Sequence, residues 1–178
     1  MSSVSSKEDD LRLLNDEIRA WCLSQSPGHV RVLSGYGSPY AKTMFVSESP
    51  SINGIEEGLC PLMRGSKEIF EQVLGLFNET VDSAYTTNLV KWSVLFKKIG
   101  DFDLPQKHFL FREIALIDPK VLVILSSKVS NYVFKSKSCS SRTEPNGRKT
   151  IFYFHPVVVL RGTITVAKYI QGLKRFIP

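Results

Sequence analysis

The sequence of 178 residues has few cysteines, and their spacing suits neither a disulfide framework nor a zinc site. The three cysteines, Cys22, Cys60 and Cys139, are odd in number and far apart, and no C-x-x-C pair occurs. This spacing excludes the class of small, disulfide-rich secreted domains. We therefore expect a reduced, intracellular setting.

Three other features are absent from the sequence. No apolar run approaches the roughly 20 residues that cross a bilayer, and no basic and apolar leader opens the chain. No glycine-rich phosphate loop of the G-x-x-x-x-G-K-S type occurs, which argues against an unrelated α/β nucleotide-binding domain. The first residues are serine-rich and then acidic, and we expect residues 1–10 to be flexible.

The composition is that of an ordinary globular protein, with 43% apolar and 22% charged residues. We see no repeats and predict one domain over residues 1–178. The net charge of +6 suits a polyanionic partner, because lysine and arginine displace counterions from phosphates. The same charge also serves solubility, so it does not by itself identify a partner.

Four short β-prone runs alternate with segments of helical periodicity. The run Val121–Leu125 (VLVIL) is apolar at every position, which is typical of a central parallel strand covered on both faces. Strands are predicted over residues 43–47, 84–87, 121–125 and 150–154, and helices over 6–22, 67–77, 107–117, 128–134 and 165–176. This alternation predicts an α/β protein, a three-layer α/β/α fold around a four-stranded parallel sheet. The basic segment 135–149 is interpreted as a loop.

Polar side chains follow each of the four predicted strands. The carboxyl ends of parallel strands share one edge of the sheet, and ligands bind there. A polar residue at a strand end is also a common turn former, so a site and a turn role both remain open. The polar residues are Ser47, Glu48, Ser49 and Ser51 after the first strand, Asn88 after the second, Ser126 and Ser127 after the third, and His155 after the fourth, where Leu160 and Arg161 follow.

Five segments follow the order and spacing of one known family. SGYGSPYAKTMFVSESPS is followed by EEGLCPLMRGSKEIFEQVL, AYTTNLVKW, IDPKVLVILSSKVSNYVF and FHPVVVLRG. Together they resemble the iron–sulfur branch of the uracil-DNA glycosylase superfamily. Its motifs in the same order are G-E-x-P-G, G-x-P-F-x-G, T-N-x-x-K, P-K-x-x-x-x-L-G and H-P-x-x-x-L-R.

The resemblance implies that a target nucleotide is flipped out of DNA and that its N-glycosidic bond is hydrolysed, with uracil as the default base. It implies that His155 stabilises charge on the leaving base, that Asn88 reads the pyrimidine edge and that Glu48 positions water. The implied base pocket also includes Ser47, Ser49 and Pro61, and the implied DNA contacts are Ser51, Ser126, Ser127, Leu160 and Arg161. The implied partner is single- or double-stranded DNA, bound by a monomer in the cytoplasm or at the nucleoid or nucleus.

Each of these roles has a plain structural alternative. His155 can be a strand-end residue bonded to backbone, and Asn88 can form an Asx-turn. Glu48 can act as a cap or a salt-bridge partner, and Leu160 can be a core contact.

The chain departs from the family at the positions of the four cluster cysteines, which hold Trp21, Ser24, Trp92 and Gln106. Iron–sulfur clusters are bound through thiolates, so we expect no cluster, no metal and no other cofactor. Two tryptophans would fill the vacated volume with apolar packing.

Other departures bear on activity. Pro61 stands where the family has an aromatic side chain that stacks on the flipped base, and Ser47 and Ser51 replace glycines of the first loop. Two functions therefore stay open: an active glycosylase for uracil, hypoxanthine or xanthine, and a catalytically inactive relative that senses or shields damaged DNA.

Overall fold

The computed structural model describes residues 5–25, 32–50, 66–92 and 103–177, with side chains from residue 105 in the last range. Ser51, Cys60 and Pro61 lie outside these residues, so their predicted roles stay predictions. The strands are β1 Tyr36–Gly37, β2 Thr43–Ser47, β3 Tyr85–Asn88, β4 Val121–Leu125, β5 Ser140–Thr143 and β6 Lys149–Tyr153. The helices are α1 Lys7–Gln25, α2 Lys67–Leu76, α3 Asp103–Ile117, α4 Ser127–Tyr132, α5 Val157–Leu160 and α6 Val166–Lys174.

The described strands form one six-stranded sheet in the order β1-β3-β2-β4-β6-β5. The pairs β2–β3, β2–β4 and β4–β6 are parallel, which confirms the predicted parallel sheet as its centre. The edge strands β1 and β5 are antiparallel to β3 and β6 and were not predicted. β5 lies in the basic segment that we interpreted as a loop, and that interpretation is wrong for Ser140–Thr143. Its polar sequence has no apolar alternation, because an edge strand of this kind buries little of either face.

Helices cover both faces of the sheet, as the α/β/α prediction requires. Leu122 and Ile124 of β4 pack in one apolar cluster with residues of α1, α3 and α4. Val123 and Leu125 pack in a second cluster with residues of α2 and α6. Each fully buried side chain of this size contributes roughly 1.5–3 kcal/mol of transfer free energy, so β4 anchors both layers.

Three features of the helices differ from the prediction. α1 begins at Lys7, within the stretch that we expected to be flexible, and the Lys7 ammonium donates to the Ile117 carbonyl at 2.9 Å. α3 begins four residues before the predicted start, at Asp103. The short helix α5 was not predicted, because its sequence VVVL is β-branched and apolar. In the described part of the chain, no helix combines the length and apolar character of a membrane span.

Candidate active site

The predicted polar residues lie along the carboxyl edge of the four parallel strands. Ser47 and Asn88 end the neighbouring strands β2 and β3 and face each other in the strand register. Ser126 follows β4, and His155 follows β6 by two residues. Strands are spaced by about 4.8 Å, so Asn88 and the end of β6 are separated by about 14 Å across the sheet. A separation of this size leaves room for a base and its sugar.

The Asn88 side chain is buried at this edge and has one unused hydrogen-bond donor. The Ser47 hydroxyl donates to the Asn88 Oδ1 atom, and both residues are almost completely buried. The Asn88 Nδ2 atom has no partner among the described residues. An unpaired buried amide costs about 1–3 kcal/mol, and a ligand that accepts from Nδ2 removes this cost. The Val90 amide, which would donate to the side-chain oxygen in an Asx-turn, donates instead to the Glu48 carbonyl.

Glu48 lies just beyond β2, where backbone hydrogen bonds hold it beside the end of β3. The Ser47 and Glu48 carbonyls accept from the amides of Leu89 and Val90, each at 2.9 Å. The Glu48 carboxylate accepts from the Lys128 ammonium of α4 at 2.7 Å. Glu48 therefore forms the salt bridge that was its structural alternative, and at 30% side-chain exposure it still reaches solvent. Ser49 is exposed next to it.

Ser126 and Ser127 form the start of α4. The Ser126 hydroxyl caps the helix by accepting from the Val129 amide at 3.2 Å. The Ser127 hydroxyl accepts from the Ser138 hydroxyl at 2.8 Å, which brings the segment after α4 back to this edge of the sheet. The two serines thus have a capping role and a loop-binding role in the structure, and their DNA contacts stay predictions.

His155 is held in one tautomer by the turn that starts α5. The Val157 amide donates to the His155 Nδ1 atom at 3.1 Å, so the neutral ring carries its proton on Nε2. Burial lowers the pKa of His155 to about 4, and the Arg161 guanidinium adds to this shift. The imidazole is neutral at pH 7 and offers one N–H donor, the group that oxyanion stabilisation needs. The backbone bond predicted as its structural alternative is present and serves to orient the ring.

Two tyrosines restrain the end of β6 through hydrogen bonds. The Tyr169 hydroxyl of α6 donates to the Phe154 carbonyl at 2.7 Å, and the Tyr153 hydroxyl donates to the Tyr169 carbonyl at 3.2 Å. The site needs a small residue on the facing helix, because a Cβ on Gly172 would lie 2.1 Å from the Tyr153 hydroxyl. These contacts restrain the residue directly before His155.

Leu160 and Arg161 are exposed beside His155. The Leu160 side chain ends α5 and is 54% exposed, so it is not a core contact. Gly162, with a φ of 69°, turns the chain back after Arg161. Their predicted DNA contacts stay predictions, for which the exposure of an apolar and a cationic side chain is suitable.

The structure reveals a buried ion pair that the sequence analysis did not identify. Lys91 donates to Glu113 of α3 and, at 2.6 Å, to the Thr87 hydroxyl, and Tyr85 and Thr87 donate to the same carboxylate at 3.1 and 3.0 Å. Neither ionic side chain has exposed surface. Burial lowers the pKa of Lys91, and the Glu113 carboxylate opposes that shift. The signal in the sequence is a carboxylate, Glu113, at helical spacing within the apolar face of α3.

The hydrogen-bonded network around the Lys91–Glu113 pair restrains the chain at Asn88. Thr87 precedes Asn88 on β3 and Lys91 follows it by three residues, so the ion pair fixes the chain on both sides of the Asn88 amide. In this structure the lysine of the T-N-x-x-K segment contacts no solvent, and its role is to position its neighbours.

Two of the four positions that correspond to the family's cluster ligands, Trp21 and Trp92, pack against a third apolar cluster, which includes Cys22 and Phe109. The Trp21 and Trp92 rings are 5.2 Å apart between centroids, and the Ser24 hydroxyl donates to the Trp21 carbonyl at 2.7 Å. Gln106 is fully buried, and neither amide atom has a partner in the described part of the chain.

These side chains do not fit an iron–sulfur cluster, because none of the four is a thiol. The adjacent Cys22 supplies one buried thiol, whereas a cluster of this kind is held by four thiolates.

Comparison with known proteins agrees with this architecture. The sequence model of the uracil DNA glycosylase superfamily matches residues 34–174. The Type-4 uracil-DNA glycosylase of Sulfurisphaera tokodaii is 27% identical over 124 residues, which cover 67% of this chain and 56% of that relative. The chain thus spans a little over half of the relative's length. The family match runs from just before β1 to the end of α6 and includes Glu48, Asn88 and His155, and the chain therefore belongs to the uracil-DNA glycosylase superfamily.

Proposed function

We propose that this protein is a monofunctional DNA glycosylase that flips uracil out of DNA and hydrolyses its N-glycosidic bond in base excision repair. The observation that carries this proposal is a pair of donors at one edge of the sheet: the unpartnered Nδ2 of the buried Asn88 and the Nε2–H of the neutral His155. A uracil ring between them has carbonyl oxygens on both sides. The protein is proposed to act as a monomer on single- or double-stranded DNA.

The proposed reaction breaks the bond between the sugar C1′ and the base N1. The electron pair leaves with the base, and the negative charge spreads onto the carbonyl oxygen that His155 faces, where its N–H stabilises it. Asn88 donates to the other carbonyl and selects the pairing edge of uracil. A water molecule oriented by Glu48 adds to C1′ and loses a proton, which neutralises the departing base anion, so that the products are a free base and an abasic site.

Base release from oligonucleotides tests the proposal. Single- and double-stranded substrates carrying uracil, hypoxanthine or xanthine are incubated with the protein, treated with alkali and examined for strand breaks. We expect release of uracil, and we expect Asn88→Ala to lower its rate by about 10- to 100-fold through lost edge hydrogen bonds. Release of hypoxanthine or xanthine alone would contradict the assignment of uracil, and release of no base would contradict the glycosylase function.

The catalytically inactive relative is favoured by one observation, the Lys128–Glu48 ion pair, which occupies the carboxylate that would orient water. That function predicts salt-dependent binding of damaged DNA without base release. The same oligonucleotides, used in a binding assay, separate it from the enzyme. We favour the enzyme function. The Lys128 side chain is 69% exposed, so its ammonium group can exchange the Glu48 carboxylate for a phosphate when DNA approaches.

We further propose that the protein works without an iron–sulfur cluster. The packing of Trp21 against Trp92 and Phe109, with centroid separations of 5.2 and 5.5 Å, supports this proposal. Purified protein is expected to contain neither iron nor acid-labile sulfide in stoichiometric amount. Metal analysis of protein prepared without oxygen checks this, and one cluster equivalent of iron would refute it.

A further inference from the structure

Three lysines converge on one face of α4, next to the candidate site. Lys128 and Tyr132 are four residues apart in this helix and therefore lie on the same face. The Lys107 ammonium of α3 lies 4.0 Å from the centroid of the Tyr132 ring, and the Lys135 ammonium lies 5.5 Å from it. Lys128, at the other end of this face, binds Glu48. We call these four residues, Lys107, Lys128, Tyr132 and Lys135, the α4 strip.

Two cations contact the Tyr132 ring, with their ammonium groups 4.0 and 5.5 Å from its centroid. A cation over an aromatic face is attracted by the ring electrons, which favours the contact for each lysine separately. Two positive charges beside one ring raise the local positive potential, which attracts an anion. The strip is accordingly suited to a phosphate group at its Tyr132 end.

The strip lies toward the carboxyl edge of the sheet. Lys128 belongs to the first turn of α4, directly after β4, and Ser138 returns the following segment to Ser127. The C-terminus of α3 leads into the amino end of β4, so the N-terminal part of α3, which contains Lys107, points to the opposite edge, where Glu48 and Asn88 lie.

The spacing along the strip matches a nucleic-acid strand. Four residues of an α-helix rise about 6 Å, and a DNA strand advances about 3.4 Å per phosphate along the duplex axis. The strip is thus long enough for its two ends to contact different phosphates of one strand.

We propose that the α4 strip binds the DNA backbone beside the flipped nucleotide, with Lys128 on one phosphate and Lys107 and Lys135 on one or two others of the same strand. The inference rests on the proposed function and adds a sequence-independent contact surface on the β4 side of the cleft. Phosphate contacts of this kind set the register of the protein on DNA and carry no base specificity. On this proposal, Lys128 exchanges Glu48 for a phosphate when DNA binds and frees the carboxylate.

The salt dependence of DNA binding tests the strip. The variant Lys107→Gln/Lys135→Gln and the wild-type protein are titrated onto a short fluorescein-labelled duplex containing an abasic-site analogue, from about 50 to 200 mM salt. Each lost phosphate contact lowers the magnitude of the slope of log K against log salt by about 0.9, so we expect one to two units less in the double variant. We also expect a higher KM for base release with an unchanged kcat.

The matched control is Lys42→Gln/Lys120→Gln. Both lysines are exposed at the amino edge of the sheet, before β2 and β4, and their loss removes the same net charge. The control variant is expected to keep the wild-type slope, and Lys107→Arg/Lys135→Arg is expected to keep it as well. Thermal melts confirm that all variants are folded.

Each outcome bears on one proposal. A slope in Lys107→Gln/Lys135→Gln equal to that of the wild type or the control would overturn the strip, as would a wild-type protein that does not bind the duplex. Absence of base release by the wild type overturns the glycosylase function alone, because the slope is measured by binding.

Discussion

Replacement of His155 by alanine is expected to lower kcat for uracil release by about 10²–10³-fold, the effect of removing one preorganised donor from a developing oxyanion. The donor is the Nε2–H, whose position follows from the Val157 amide that occupies Nδ1. Because the interaction forms with charge in the transition state, KM should change far less than kcat. Single-turnover kinetics with a uracil-containing oligonucleotide measure this split.

Two further variants make the His155 result specific. His108→Ala removes a histidine that is exposed on α3 and is expected to leave kcat unchanged. His155→Gln places a neutral N–H donor at similar reach and is expected to retain more activity than His155→Ala. If His155→Ala were as active as the wild type while Asn88→Ala lost activity, the stabilisation of charge on the leaving base would have to come from a group other than His155.

The pH dependence follows from the same histidine. With a pKa of about 4, lowered first by burial and then by Arg161, His155 stays neutral through the physiological range, and its titration should produce no inflection in kcat near pH 6.5. The unfolded chain protonates this histidine below about pH 6.5 and the folded protein only near pH 4. The unfolded state thus binds more protons in this interval, so the His155 contribution to stability is complete above pH 6.5 and declines as the pH falls toward 4. NMR titration of the His155 ring, assigned through the His155→Gln spectrum, measures the pKa; a value near 6.5 would contradict this account.

The second large effect is expected on stability, when the buried cation Lys91 is replaced. Lys91→Met is expected to lower the free energy of unfolding by about 3–5 kcal/mol, because the Glu113 carboxylate is then buried without a counter-charge. For a chain of this size that corresponds to a fall in Tm on the order of 10 °C. Urea denaturation followed by circular dichroism gives the free energy, and thermal melts give Tm.

The comparison of two ion pairs tests the reason for this loss. Lys67→Met breaks an exposed pair, Lys67–Glu71 at 3.9 Å with side chains 62% and 50% exposed, and is expected to change stability by less than about 0.5 kcal/mol. Lys91→Met/Glu113→Gln removes both buried charges and keeps an acceptor for Tyr85 and Thr87, so it should recover part of the loss. A Lys91→Met cost as small as that of Lys67→Met would show that the buried pair does not hold this part of the fold.

The parallel centre of the sheet could be predicted from local pattern. Val121–Leu125 is apolar at every position because both of its faces are buried, and the observed strand has the predicted bounds. The edge strands could not be predicted in this way. β1 has only two residues in a glycine-rich segment, and β5 is polar, because an edge strand is defined by a neighbour that lies elsewhere in the chain.

The positions of the site residues were predictable for the same reason, since a polar residue after a buried strand lies at the sheet edge wherever the strands are parallel. Ser47, Asn88, Ser126 and His155 lie where the pattern placed them, while their roles stay predictions. The pattern did not reveal the partners of these residues. Lys128 and Glu48 are 80 residues apart, and Lys91 and Glu113 are 22 apart, so their pairing depends on how helices pack on the sheet.

The sequence alone thus determined the α/β class, the segments that form the parallel core strands and the set of polar residues at their ends, because hydrophobic periodicity is a local property of the chain. Only the tertiary structure decided that His155 is a neutral Nε2–H donor, that Glu48 is bound by Lys128 and that Lys91 is a buried support for Asn88. Each of these depends on burial and on contacts between separate elements, and pKa values and hydrogen-bond partners are set by that environment.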